Sequence, residues 1–241
     1  MTTTRPAASS TRVLGGVTTV LGELLVTLGV LLLLFTGWQL WWTDVVADRE
    51  QAQTAAALVD RWADPQLVPT AGDAPVPDLA EPLAGEVFGL VHVPRFGPDW
   101  QPRPLVEGTT TADLEAGVGH YAGTALPGEV GNVAIAGHRN TYGKPFHGIA
   151  ELQAGDPVVV ETAEGWFVYR ATTARVVRPD QVEVVAPVPG EPGAQPTERL
   201  LTMTACHPIG TARERYVQHA AFDRFVPRAA GAPSELTQVT P

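Results

Sequence analysis

The single cysteine of this 241-residue chain, Cys206, ends an apolar run and is followed by His207-Pro208 and a polar loop. One cysteine cannot close an internal disulfide or build a Cys-rich zinc site. Three readings remain for it: a small buried hydrophobe, an intermolecular cross-link, or a reactive thiol. A position where a strand leaves the core favours exposure. A thiol works as a nucleophile when a base or a positive charge lies beside it. Six histidines are available: His92, His120, His138, His147, His207 and His219. His92 and His219 fall inside apparent strands and read as scaffold. His138 differs, because it ends the run Asn132-Val133-Ala134-Ile135-Ala136-Gly137 and opens the loop Arg139-Asn140-Thr141-Tyr142-Gly143. His138 and Cys206 thus both stand where a strand exits, and in a barrel two such exits can face each other across one rim. Arg213 and Arg215 open the next strand, so either could bring positive charge to a thiolate.

Short strands must hold these groups. Residues 87–93, 103–107, 132–138, 157–162, 166–177, 200–205 and 216–222 are apolar or β-branched runs bounded by turns. The two runs at 157–162 and 166–177 flank Glu164-Gly165 and predict a hairpin. Residues 111–117 and 146–152 predict short helical turns. Seven or eight strands with little helix predict a mainly β fold, a closed or nearly closed barrel. The Pro/Gly-rich stretch 186–197 reads as a loop before the strand that ends at Cys206.

The N-terminal part has another character. Residues 13–42 carry one charge, Glu23, and end with Trp38, Trp41 and Trp42. That is long enough to cross a bilayer, with an aromatic belt at its far end. Arg5 and Arg12 precede it and Asp44, Asp48 and Glu50 follow, which places the N-terminus in the cytoplasm and the rest outside. The expected organisation is a cytoplasmic tail (1–12), a transmembrane anchor (13–42), a juxtamembrane helix and Pro-rich spacer (43–85), a catalytic barrel (86–226) and a frayed C-terminal tail (227–241). The net charge of −10 argues against nucleic acid as a partner, since phosphate binding needs clustered Lys and Arg.

The stretch Thr202-Met203-Thr204-Ala205-Cys206-His207-Pro208, followed by Arg213-Glu214-Arg215-Tyr216, resembles the signature of the sortases: T-L-x-T-C, a short loop, then an arginine opening a strand. The stretch from Gly119-His120-Tyr121-Ala122-Gly123-Thr124-Ala125-Leu126-Pro127-Gly128 to Ile135-Ala136-Gly137-His138-Arg139 resembles the catalytic-histidine region of the same family. The H-Y-x-G-T-A-x-P-G form, the C-H-P and the R-x-R-Y are similar to class E, the actinobacterial, Gram-positive type. The resemblance implies an eight-stranded sortase-type barrel behind one N-terminal transmembrane helix, on the outer face of the cell membrane. It implies Cys206 as nucleophile, His138 as general acid/base and Arg215 as the group that positions substrate and steadies the oxyanion. Arg215 is preferred to Arg213 because it directly precedes the strand. Tyr121 matches a substrate-selecting tyrosine, and Thr204 and Ala205 are further substrate-contact candidates.

The implied reaction is cleavage of an LAxTG-like C-terminal sorting signal between Thr and Gly through a thioester, with transfer to an amine of a lipid-linked cell-wall precursor. Its implied partners are secreted proteins bearing that signal and the peptidoglycan precursor. No cofactor and no metal is implied, and Glu151, Asp156, Glu161 and Glu164 read as surface charges. The sequence departs from the family pattern at Ala205, where Thr is usual, and at Met203, where Leu is usual. The alternative readings are a hydrolytic cysteine peptidase of the same fold and an impaired barrel that binds envelope proteins.

Overall fold

The computed structural model describes residues 10–63 and 75–237, with the side chains of residues 10–18 and 40 left aside. The expected cytoplasmic tail as far as residue 9, spacer residues 64–74 and the last four residues lie outside the described residues. The described residues form two compact units, one up to Trp42 and one from Thr43 onward.

The first unit is helical throughout its described part. Helix α1, Ser10–Trp62, begins there and continues into the second unit. It is long and apolar enough to cross a membrane. Leu24, Leu31, Leu33, Phe35, Trp38 and Trp41 are all exposed, the reverse of a core helix.

The second unit is an eight-stranded closed barrel. Its strands are β1 (Val87–His92), β2 (Arg103–Glu107), β3 (Val118–His120), β4 (Gly131–Ala136), β5 (Pro157–Glu161), β6 (Gly165–Val177), β7 (Arg199–His207) and β8 (Glu214–Pro227). Around the barrel they run β1-β2-β3-β4-β7-β8-β6-β5. The β2–β3 and β4–β7 pairs are parallel and the others antiparallel. A parallel neighbour requires a crossover. Helix α2 (Thr111–Ala116) supplies the first, capped by Thr110 and Asp113 bonding each other's backbone N–H. The β5–β6 hairpin and the loop after it supply the second.

Alternation along the strands fills the interior. Val133 and Ile135 of β4, Leu201, Met203 and Ala205 of β7, and Phe167 and Tyr169 of β6 share one core cluster. Strand β3 was not separated by the sequence pattern, because three residues are too few to show a period. Three expectations change. Val76 and Leu79 pack against this core, so the later part of the Pro-rich stretch is seated on the barrel. The tail forms helix α3, Ser234–Thr237, with Glu235 bonded to Arg224 and Arg170, which ties it to β8 and β6. Glu161 is not a surface charge: it is buried between His92 Nε2 (2.7 Å) and Arg228 Nη2 (3.0 Å). Burial opposes its ionisation, but these two partners outweigh burial and hold the carboxyl below its usual range.

Candidate active site

Register brings the candidate residues together. In the parallel β4–β7 pair, Ala136 is opposite Thr204, and the Gly137 N–H donates to the Thr204 carbonyl at 3.1 Å. Two residues further along both chains stand His138 and Cys206. Val133 and Ile135 point into the core, as do Leu201, Met203 and Ala205. The even-numbered residues of both strands therefore face outward, Cys206 continues that row in β7, and His138 stands in the loop two residues past β4. The bond from Thr202 Oγ1 to Asn132 Oδ1 at 2.8 Å is made on this face. On the other side of β7, Cys206 is the direct cross-strand partner of Arg215 in β8. Cys206 thus lies between the loop of His138 and the strand of Arg215, and it is part-exposed.

Each group has a definite setting. The Arg215 Nη1 donates to the carbonyls of Ala212 and Glu214, both at 3.0 Å. A guanidinium has five N–H donors, so its Nε and Nη2 sides remain for a ligand. Arg213, the rival arginine, is exposed on the preceding loop. The His138 ring is half-buried, and its Nε2 is shielded from solvent without a hydrogen-bond partner among the described residues. Burial lowers the His138 pKa below 6.5, partly opposed by the charge of Glu115. The neutral imidazole is then the resting form at neutral pH. The Tyr142 ring packs against His138 with centroids 5.1 Å apart. A hydrogen bond to Glu115 raises the pKa of the Tyr142 phenol. Gly137 precedes His138 because a Cβ there would lie 2.6 Å from the Phe146 ring. Phe146 closes this loop through its N–H bond to the His138 carbonyl at 3.0 Å.

The remaining sequence candidates separate. Tyr121 Oη and Thr204 Oγ1 are 3.0 Å apart, and Thr204 is two residues from Cys206 on the same face. That spacing corresponds to about 7 Å. Ala205 does not join them: its side chain is in the core, 3% exposed, because it has the opposite parity in β7. A residue at this position acts through packing, not through contact with a ligand on the Cys206 face.

Sequence reasoning missed Arg139, Tyr142, Glu115 and Gln51. Arg139 is 5% exposed. Its Nη1 reaches His207 Nδ1 at 2.8 Å and the Cys206 carbonyl at 3.4 Å, and its guanidinium lies 5.5 Å over the Tyr216 ring. Arg139 therefore ties the loop after His138 to the end of β7 and fixes the His207 proton on Nε2. A signal for Gln51 existed: it interrupts the buried stripe Ala47, Ala55, Leu58, Trp62 of α1. An apolar cavity of about 460 Å³, lined by Trp100, Trp166, His92 and Glu161, contains none of these residues.

Known proteins share this fold. A family model described as a sortase domain matches residues 91–223. The chain is similar to sortase SrtE1 of Streptomyces coelicolor, at 39% identity over 85% of this chain and 57% of that protein, so it spans little more than half that relative's length. Among solved structures it is similar to the SrtA sortase from Actinomyces oris (TM-score 0.62, 43% identity, 66% of this chain and 93% of that chain). It is also similar to sortase E1 from Streptomyces coelicolor with a tripeptide in the active site (TM-score 0.58, 37% identity, 63% of this chain and 97% of that chain).

Proposed function

The chain belongs to the sortase family, and we propose that it is a membrane-anchored cysteine transpeptidase acting on an LAxTG-like sorting signal. The observation that supports this reading is the register of β4, β7 and β8, in which Cys206 is opposite Arg215 and β4, the strand before the His138 loop, pairs with β7. The tripeptide named in the Streptomyces coelicolor sortase E1 structure supports a peptide as the ligand of such a site.

The proposed steps follow from the groups present. The Cys206 Sγ attacks the Thr–Gly carbonyl carbon, and the neutral His138 accepts the thiol proton. The Nε or Nη2 side of Arg215 donates to the oxyanion that develops. The imidazolium of His138 then gives its proton to the departing glycine amine as the C–N bond breaks. A thioester on Cys206 remains. An acceptor amine attacks it, the C–S bond breaks, and the thiol is restored. Tyr121 and Thr204, on the same face, meet the residues of the signal before the cleaved bond.

The apolar part of α1 anchors the enzyme in the cell membrane with its N-terminus inside, as Arg5 and Arg12 before it and the acidic residues after it favour. Anchoring beside membrane-bound substrate and acceptor raises their effective concentration. The test uses the full chain in lipid nanodiscs with an LAETG-containing peptide and an added amine. An amide product that grows with amine concentration is expected. Release of the free acid alone at every amine concentration overturns the transpeptidase reading in favour of a hydrolase.

A further inference from the structure

The loop that carries His138 has an unusual backbone. Tyr142, Gly143 and Lys144 take φ values of 52°, 74° and 48°, three consecutive left-handed residues of which two are not glycine. Non-glycine residues persist there only where their surroundings hold them. The surroundings here come from α1. Gln51 is 1% exposed. Its amide nitrogen donates to the carbonyl of Tyr142 at 3.1 Å and to that of Glu115 at 3.0 Å. Its oxygen accepts from Arg103 Nη1 at 3.0 Å, and the same nitrogen reaches Asp48 at 2.6 Å. Asp44 pairs with Lys144 at 2.5 Å. A Cβ at Gly143 would lie 2.7 Å from Asp48 and 2.9 Å from Arg103, so the turn is pressed directly on the helix.

We propose that the stretch of α1 from Asp44 to Gln51 is a working part of the active site, in which Gln51 holds the left-handed turn at Tyr142–Lys144 and thereby positions His138. The two carbonyls that Gln51 binds belong to the two residues that face the His138 ring, Tyr142 by packing and Glu115 by its charge. One buried amide sets both. Gln51 touches no reacting atom, so it is a positioning residue, and Asp44 with Lys144 is a second, more exposed tie on the same turn. The inference rests on reading His138 as the acid/base partner of Cys206.

Cys206 is the only cysteine, so its alkylation by iodoacetamide in the full chain reports the His138–Cys206 pair without any peptide. The charged and titratable groups around that pair are Glu115 from α2, Arg139 and Tyr142 from the loop, His207 from β7 and Arg215 from β8. In nanodiscs, Gln51→Met should shift the pH profile of alkylation. It should also lower kcat on the LAETG peptide by about ten- to a hundredfold, the scale of a misplacement of about 1 Å, with KM changed by less than about threefold. Asp44→Asn, which leaves the buried amide in place, should move both readouts in the same direction by about two- to threefold. Leu58→Ala, on the same helix but packed on Leu90, should lower Tm and leave the profile unchanged.

If both Gln51→Met and Asp44→Asn keep the wild-type alkylation profile, or if Leu58→Ala shifts it as far, the positioning role is overturned. Should Gln51→Met not fold, Gln51→Asn, which keeps an amide but one methylene short of the two carbonyls, takes its place. Absence of transpeptidation by the wild type would defeat the functional reading instead, while the alkylation profiles still decide the role of Gln51.

Discussion

His120 and His138 stand at the ends of antiparallel neighbours, β3 and β4, and their surroundings are opposite. His120 is 1% exposed, and both ring nitrogens are engaged. Nδ1 meets Glu107 at 2.6 Å, and Nε2 meets Thr124 Oγ1 at 3.0 Å and the Ala125 carbonyl at 3.1 Å. His138 has a buried Nε2 with no partner among the described residues and an aromatic ring on one side. A satisfied imidazole cannot take up a new proton acceptor or donor without losing a bond. An unsatisfied one can. The contrast teaches that the polar inventory of the ring, more than its position in a motif, separates a structural histidine from one able to do chemistry. His219 shows that an orphaned nitrogen alone is not enough. Its Nε2 also lacks a partner, but its Nδ1 is bonded to Thr202 and its ring stands along β8, away from Cys206.

The largest effect that tests this contrast is on turnover. His138→Gln should reduce kcat by about 10²- to 10⁴-fold, the range for losing a general acid/base, while Tm stays within a few degrees. His120→Gln should show the reverse pattern. A large kcat loss in both variants at equal Tm would erase the distinction. The pH profile adds to it. Because burial lowers the His138 pKa, the acid limb of kcat/KM should have its midpoint below 6.5. Peptide turnover between pH 4 and 8 checks this.

The next effect is on acid stability. Burial, helped by Arg175, lowers the His219 pKa from 6.5 to about 4. The unfolded chain therefore binds a proton near pH 6.5 that the folded chain refuses until about pH 4. Stability is full above 6.5, falls through that window as pH drops, and then levels off. With a discount for the part of the ring open to solvent, the loss is about 2 kcal/mol. His219→Gln should flatten the fall, as read by urea midpoints at pH 7 and pH 4.5. An unchanged slope would mean that the ring is protonated in the folded state.

Why some of this was legible in the sequence is a matter of periodicity. The runs at 132–138 and 200–205 carry period-two and apolar signals, and their pairing brings the start of the His138 loop to the end of β7 that carries Cys206. Arg215 was expected at the start of the next strand, and it lies near the start of β8 as the cross-strand partner of Cys206. Parity within β7 was not, because Thr204, Ala205 and Cys206 are too few to show which faces inward until Met203 and Leu201 are seen in the core. Ala205 was expected among the substrate contacts, and the strand turns its side chain into the core. The supports of His138 were hidden for a different reason. Gln51 is 64 residues from Glu115 and 91 from Tyr142, and no local pattern encodes a contact of that range. Glu161 was misread likewise, because its partners His92 and Arg228 lie on distant segments.

A smaller effect tests the structural half of the contrast. His120→Gln leaves the Glu107 carboxylate buried without its short partner, a loss of about 1 to 3 kcal/mol. Since Glu107 and His120 are also paired residues of β2 and β3, the loss should show in Tm and in faster hydrogen exchange of the β2–β3 amides. Alkylation of Cys206 should keep its rate. A change in that rate at unchanged Tm would mean that His120 belongs to the chemistry after all.

The smallest effect lies at Tyr121, the residue that follows the structural histidine yet reaches the chemical face. Its hydroxyl and that of Thr204 are 3.0 Å apart, and Thr204 also donates to the Ile135 carbonyl at 3.3 Å. Tyr121→Phe removes one neutral hydrogen bond and leaves Thr204 its backbone acceptor, so the cost to stability should be at most about 1 kcal/mol. The ring remains as an apolar wall. If Tyr121 contacts the sorting signal through its hydroxyl, KM for the LAETG peptide should rise by about two- to fivefold with kcat nearly constant, the mark of lost uniform binding. If its hydroxyl only steadies Thr204, Tyr121→Phe should have at most the effect of Thr204→Val, and the double variant no more than Thr204→Val alone. Steady-state kinetics on the three variants separates contact with substrate from support of the strand that ends in Cys206.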